Sequence, residues 1–189
     1  GTLASTRVAV EGGTLTLGAA ERLADGASVQ VSTGATLALA GAETVAALNL
    51  SGTLAGTGTL TAPSYLLDGG STTADLGAGT LASRGSSRLG GRAAATAVNV
   101  ETGTLTLAAA DRLADTAVLT VAAGATLSLD GTDTVGRLAL NGTLAGSGTL
   151  TAASYGLDGG TINANLGAGT LSSRGNSTLA GTAAVGTVD

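Results

Sequence analysis

Short alternations of apolar and polar residues, broken by glycine, run through the whole chain. Apolar pairs occupy positions 98 and 100, 119 and 121, and 138 and 140, and a glycine follows each pair within three residues. The same spacing recurs at positions 8–10, 29–31 and 48–50. Alternation over four or five residues is the pattern of a short half-buried strand. Three such strands with corners between them predict one coil of a parallel β-solenoid.

The tripeptide Gly-Thr-Leu marks many of these corners. Glycine accepts the positive φ of a tight corner, threonine suits the outer face of a strand, and leucine one position later points to the opposite, buried face. It occurs nine times, at Gly1, Gly13, Gly52, Gly58, Gly79, Gly103, Gly142, Gly148 and Gly169.

A 90-residue repeat organises the chain on a larger scale. Residues 8–90 match residues 98–180 without a gap at 54 of 83 positions. We therefore predict repeat units at 8–97 and 98–187 in a single continuous solenoid over 1–189, excerpted from a longer array. Each unit should hold about five coils, and stacked strands about 4.8 Å apart then give a rise of roughly 24 Å per unit.

The last part of each unit is expected to form two shorter coils. In the second unit this part covers residues 155–187. Its expected inward residues are Leu157, Ile162, Leu166, Leu171 and Leu179.

Two other architectures have weaker support. Helix-like composition is confined to Ala19–Asp25 and Ala108–Asp115, which are short and suit corners. A β-sandwich needs hairpins, and the few Asn-Gly and Asp-Gly dipeptides fit solenoid corners equally well. The sequence thus predicts an all-β fold with three short strands per coil.

Composition restricts the functional classes. The chain has two Tyr and no Phe, Trp, Met, Cys, His or Lys, so a wide core is hard to fill, whereas a narrow core of Leu, Val and Ala is possible. A net charge of −5 does not provide the basic stripe that nucleic-acid binding needs. No apolar run approaches 18 residues, so we expect no membrane insertion.

The segments YLLDGGSTTADLGAGTLASRGSSRL at 65–89 and YGLDGGTINANLGAGTLSSRGNSTLAGTAA at 155–184 give the chain a family resemblance. Together with VNVETGTLTLAAADRLADTAVLTVAAGATLSLDGTDTVG at 98–136, they resemble repeats of filamentous-haemagglutinin-like adhesins and related autotransporter-type bacterial exoproteins. The resemblance implies a right-handed parallel β-helix. It also implies secretion to the cell surface or medium through an outer-membrane pore, and a role in adhesion, aggregation or biofilm.

Catalytic, metal and cofactor sites are not expected. There is no His base and no Cys or Lys nucleophile. Asp68 and Asp158 sit in Leu-Asp-Gly-Gly, where an Asx turn accounts for them. The calcium-binding nonapeptide of other solenoids is absent.

Other charged residues have structural explanations. Asp25 and Asp115 follow Arg22 and Arg112, an arrangement that predicts surface ion pairs. Asp75 is replaced by Asn165 in the second unit. A catalytic acid could not be replaced by an amide in this way.

The sequence therefore favours a structural and adhesive segment of a secreted fibre, with copies of itself and surface glycans as partners. The alternative is an outward Thr/Asn face that binds glycan or ice. Thr-x-Thr occurs at 14–16, 59–61, 104–106 and 149–151, although 36–38 and 126–128 interrupt a two-column ladder. Tyr65 and Tyr155 are expected to cover the core at the join between long and short coils, with a glycan-stacking role as the other possibility.

Overall fold

A computed structural model describes residues 1–188, which contain 25 strands and no helix. Through the end of the first repeat the strands are β1 Arg7–Val10, β2 Thr14–Leu17, β3 Ser28–Val31, β4 Thr36–Leu39, β5 Glu43–Thr44, β6 Ala47–Leu50, β7 Thr53–Gly56, β8 Thr59–Thr61, β9 Ser64–Asp68, β10 Ser71–Thr72, β11 Asp75–Leu76, β12 Thr80–Arg84 and β13 Ser86–Leu89. The remaining strands are β14 Ala97–Val100, β15 Thr104–Leu107, β16 Val118–Val121, β17 Thr126–Leu129, β18 Asp133–Leu140, β19 Thr143–Gly146, β20 Thr149–Asp158, β21 Thr161–Ile162, β22 Asn165–Leu166, β23 Thr170–Arg174, β24 Thr178–Leu179 and β25 Thr187–Val188.

The strands wind into a β-solenoid with three sides. The first sheet stacks β1-β3-β6-β9-β12-β14-β16-β18-β20-β23-β25, the second stacks β2-β4-β7-β10-β13-β15-β17-β19-β21-β24, and the third contains β5-β8-β11. In the second repeat, β22 and the first residues of β18 and β20 occupy the third side, where they pair with each other. Every strand pair is parallel, as expected when the chain returns to the same side once per coil.

The register of the first sheet gives the length of each coil. One column of register partners in this sheet runs through residues 8, 29, 48, 65, 81 and 98. The spacing between successive members shows that the five coils of one unit contain 21, 19, 17, 16 and 17 residues. Partners at 119, 138, 155, 171 and 188 repeat these lengths in the second unit. The predicted β-solenoid, with about five coils per unit and the shorter coils last, is confirmed.

Apolar side chains from the three sides form one continuous core. Leu105 and Leu127 are register partners in neighbouring coils, and both are completely buried, as the alternation predicts. Leu157, Ile162, Leu166 and Leu171 are also buried.

Leu179 is not buried as an inward residue should be: its side chain is 44% exposed, although its register partner Ile162 is completely buried. Its equivalent in the first repeat, Leu89, is completely buried beneath β15. Leu179 lies in the last coils of the described chain, and no strand pairs with β24 on its outer side. Leu179 is therefore exposed because no strand covers it on one side, and not because its side chain points outward.

Two physical demands explain the glycines of the Gly-Thr-Leu corners. Gly103 has φ +70°, in the left-handed region that glycine tolerates. Gly142 needs no such angle, but a Cβ atom there would lie 2.3 Å from the carbonyl oxygens of Ala122 and Ala125 in the preceding coil. The sequence indicated the need for a positive φ. It did not indicate the second reason for glycine, which is the close approach of backbone between neighbouring coils.

The helix-like stretches are corners, as expected. Ala19–Asp25 and Ala108–Asp115 contain no helix, and each includes a non-glycine residue in the left-handed region. These residues are Glu21, with φ 50°, and Asp111, with φ 54°. The corners bulge from the third side and make the first coil of each unit the longest.

Candidate functional site

The carboxylates of Asp68 and Asp158 are too far apart to act together as a catalytic pair. Asp68 and Asp158 are exposed at the ends of β9 and β20, each followed by a glycine with positive φ. Five strand spacings separate β9 from β20 in the first sheet, a distance of roughly 24 Å. Glycosidase carboxyl pairs lie within about 10 Å. Residues 1–188 also contain no group of three or more His, Cys, Asp or Glu placed to hold a metal ion.

Two acidic side chains that sequence reasoning missed point into the core. Glu43 is 1% exposed and Asp133 is 0% exposed. Oε2 of Glu43 accepts the backbone N–H of Arg22 at 2.9 Å, and Oε1 accepts that of Leu23 at 2.7 Å. In the bulged corner these N–H groups have no neighbouring strand to bind, and the carboxylate of Glu43 accepts their hydrogen bonds instead.

Asp133 performs the same task with a shorter side chain. Its Oδ2 accepts the backbone N–H of Arg112 at 2.7 Å and that of Leu113 at 3.3 Å, while Oδ1 has no hydrogen-bond partner. Burial raises the pKa of Asp133 to about 6, although the backbone N–H groups of Arg112, Leu113 and Thr134 oppose this shift. The charge of Asp111 raises the pKa further. The sequence signal was strand parity, because Asp133-x-Val135 places both side chains on the inner face.

The predicted ion pairs of Arg22 with Asp25 and of Arg112 with Asp115 are wrong within the described chain. Nε of Arg22 donates to the carbonyl oxygen of Ala20 at 2.9 Å, and Arg112 donates in the same way to Ala110. An exposed ion pair contributes little, and the bulged corner offers a carbonyl oxygen within reach of each guanidinium. Ion pairs instead link different coils: Arg84–Glu101 at 2.6 Å, Arg88–Asp130 at 3.4 Å and Arg92–Asp111 at 3.8 Å.

The exchange of Asp75 for Asn165 preserves a contact between coils. Oδ1 of Asp75 accepts the backbone N–H of Arg92 at 2.7 Å. Oδ1 of Asn165 accepts the N–H of Thr182 at 3.2 Å and its hydroxyl at 2.7 Å. Because the contact needs only an acceptor oxygen, either side chain suffices, and its role is structural.

Both tyrosines belong to the core. Tyr65 and Tyr155 are 2% and 1% exposed. The Tyr155 hydroxyl oxygen accepts the N–H of Ala152 at 2.8 Å and lies 3.0 Å from the carbonyl oxygen of Leu150. Burial raises the pKa of both phenols. The rings are placed to fill and hold the corner and are not available for stacking on a glycan.

Threonine hydroxyls form a column on the outer face of the second sheet. Four successive register pairings connect its members without a gap. They are Thr104, Thr126, Thr143, Thr161 and Thr178.

A shorter column covers Thr14, Thr36 and Thr53 in the first repeat. The interruptions expected from the sequence affect only the adjacent column, where Thr106 is followed by Ser128 and an alanine. The pairs at 59–61 and 149–151 lie on the third side and do not extend either column.

The outer face of the first sheet has a shallow trough along the solenoid axis. A cavity of about 380 Å³ lies over the first repeat and includes Gln30, Asn49 and Leu66. A cavity of about 340 Å³ lies over the second repeat and includes Arg137, Gly156 and further polar residues. The middle outward residues of the strands form the floor of the trough.

No helix that could span a membrane occurs in residues 1–188. The chain matches no protein-family model, no curated protein and no solved structure in the comparisons made with it.

Proposed function

We propose that this chain is a structural and adhesive segment of a secreted bacterial fibre of the filamentous-haemagglutinin-like type. The observation that carries the proposal is the uninterrupted parallel stack, in which the same five coil lengths recur in both units. Such a stack adds length with each unit. In this role the full-length protein leaves the cell through an outer-membrane pore and acts at the cell surface or in the medium, without catalysis.

Stiffness is supported by the way the coils are joined. Each coil contributes strands to ladders on its sides, and the core column is continuous through both units. Side-chain contacts from Glu43, Asp75, Asp133 and Asn165 add links at the corners. Bending the rod would separate strands on one side and break these contacts together.

A bead-attachment assay tests the proposal. Beads coated with the 189-residue chain should aggregate or attach to bacterial or host cells, whereas beads coated with the Leu105→Asp variant should not, because that variant loses the folded surface. Asp68→Asn should attach like the parent, since its carboxylate is exposed and lies outside both cavities of the first sheet. Attachment no greater than that of an unrelated solenoid would contradict the adhesive role.

A second candidate is an outward Thr/Asn face that binds ice or glycan. The continuous column from Thr104 to Thr178 favours it for ice, because it repeats a hydroxyl and a methyl group at every coil, about 4.8 Å apart. A regular array of this kind can order surface water.

An ice-affinity assay distinguishes this candidate from the fibre role. Thr143→Tyr breaks the column in its middle and should abolish partition into ice. Thr151→Tyr is the matched control, since Thr151 also points outward from a strand but lies on the third side. Exclusion of the parent chain from ice would end this candidate and leave the fibre proposal unaffected.

A further inference from the structure

We propose that the trough over Gly156 in the second repeat binds a carboxylated sugar of an acidic glycan, with Arg137 as the partner of the carboxylate. The inference rests on the adhesive role proposed above, for which it names one ligand class. The fold does not require the glycine at position 156. Gly156 lies inside β20, at the middle outward position of the first sheet.

Neither backbone conformation nor packing explains Gly156. Its φ is not positive, and an added Cβ would meet only the carbonyl oxygen of Leu138, at 3.8 Å. The equivalent residue of the first repeat is Leu66. A glycine inside a strand costs stability, and one reason to find it there is the close approach of a ligand.

The residues on the floor of the trough differ between the repeats, whereas the core residues of the same strands, with one exception, do not. The five middle outward positions of the first sheet all differ between the repeats, whereas nine of the ten inward positions on the same strands are identical. The floor pairs are Ala9/Asn99, Gln30/Thr120, Asn49/Ala139, Leu66/Gly156 and Ala82/Ser172. The depression in the second repeat is therefore a property of its surface.

A guanidinium lies beside this depression. Arg137 is exposed, lines the 340 Å³ cavity, and forms no ion pair with any other residue from 1 to 188. The first repeat has Ala47 at this position, and its own trough arginine, Arg7, donates to Oε1 of Gln30 at 3.2 Å. Only the second repeat combines a floor without a side chain with this neighbouring arginine.

A second arginine of the lining, Arg174, is the register partner of Asp158, whereas the register partners of Arg137 are Val118 and Ser154. The remaining lining suits a sugar. Hydroxyls of Ser154 and Ser172 can donate and accept, and the carboxylate of Asp158 can only accept. An acceptor-only group beside an arginine fits a ligand that has hydroxyl donors as well as one negative charge. An acidic peptide would bring a second carboxylate towards Asp158, whereas a uronic acid brings hydroxyls. The apolar floor of Ala139 and Gly156 can cover the C–H face of the ring.

Binding of oligogalacturonate to the 189-residue chain, measured by calorimetry, tests the proposal. The fully methyl-esterified oligosaccharide is the matched neutral probe. We expect one site per chain for the acid and at least tenfold weaker binding of the ester. Arg137→Ala and Gly156→Leu, which introduce the residues of the first repeat and so preserve the fold, should each weaken binding about tenfold or more.

The first repeat allows a gain-of-function control. Ala47→Arg with Asn49→Ala and Leu66→Gly should create a second trough and raise the stoichiometry towards two. No binding by the parent chain, equal binding of acid and ester, or unchanged binding by Gly156→Leu would each overturn the proposal. Bead attachment and rod formation report on the fibre role separately, so loss of the sugar site would not be mistaken for its failure.

Discussion

Oδ2 of Asp133 accepts the backbone N–H of Arg112 at 2.7 Å, so that a buried carboxylate joins two successive coils from inside the core. The other oxygen of Asp133 has no partner. A charged carboxylate in this position is only partly compensated, because one of its two oxygens has lost its water without gaining a donor.

Stability should therefore depend on the protonation of Asp133. Its pKa is about 6 in the folded chain, against an ordinary value of 3.8. The stabilising effect of the proton is complete below pH 3.8 and is lost as pH rises through 6. Asp133→Asn should raise the free energy of unfolding by about 1–3 kcal/mol at pH 8 and change it little at pH 3.5.

Urea unfolding at the two pH values measures this difference. The control is Asp158→Asn, an exposed carboxylate that should leave stability unchanged at both. An equal effect of Asp133→Asn at pH 3.5 and pH 8 would show that the titrating group lies elsewhere.

Glu43 tests whether the amides of the bulged corner need an acceptor. Its neighbour in the next coil is Leu60, so leucine would fit the inner column by size and parity. Glu43→Leu nevertheless leaves the N–H groups of Arg22 and Leu23 without their partner. We expect a loss of about 2–4 kcal/mol in denaturant unfolding, and a smaller loss for Glu43→Gln, which keeps one acceptor oxygen. A stabilised leucine variant would mean that water reaches these amides.

The core itself can be tested at adjacent positions of one strand. Leu105 is completely buried and Thr104 points outward in β15. Leu105→Asp buries an unpaired charge and should cost several kcal/mol, enough to prevent cooperative folding around that coil. Thr104→Ser should change stability by less than about 0.5 kcal/mol. Similar thermal melting of both variants would contradict the inward assignment.

The sequence predicted the coils better than the contacts between them. Alternation and the 90-residue shift predict strands and the inward side of Leu105 because these depend on local parity. Which residues stack depends on coil lengths, and these vary from 16 to 21 residues. Arg88, for example, pairs in register with Ser71 on one side and Thr106 on the other. The Thr columns could not be followed without that register.

The misses have a common cause. Glu43 and Asp133 were not predicted as inward residues, because charged side chains are assigned to the surface unless a partner is known. Their partners are backbone amides of a corner whose shape the sequence does not show. The expected ion pair of Arg112 failed for the same reason, since the competing acceptor is the carbonyl oxygen of Ala110.

The final prediction concerns the end coils. Leu15 is 36% exposed and Leu179 is 44% exposed, whereas their equivalents one repeat inward, Leu105 and Leu89, are completely buried. The open edge of each end coil also presents backbone groups that can pair with another strand. Because both ends belong to the same repeating register, a head-to-tail contact between copies can continue the stack, and such a contact does not close on itself.

We therefore expect the 189-residue chain to associate end to end as its concentration rises. Light scattering should show growing rods, and diffraction from aligned material should give a meridional reflection at about 4.8 Å, with an axial repeat of about 24 Å per unit. Replacing Leu15 and Leu179 with arginine places like charges at each new junction, while the inner coils remain intact. That variant should stay monomeric with an unchanged circular dichroism spectrum. A parent chain that stays monomeric at high concentration would contradict end-to-end stacking, because the exposed apolar end coils would then be tolerated in water.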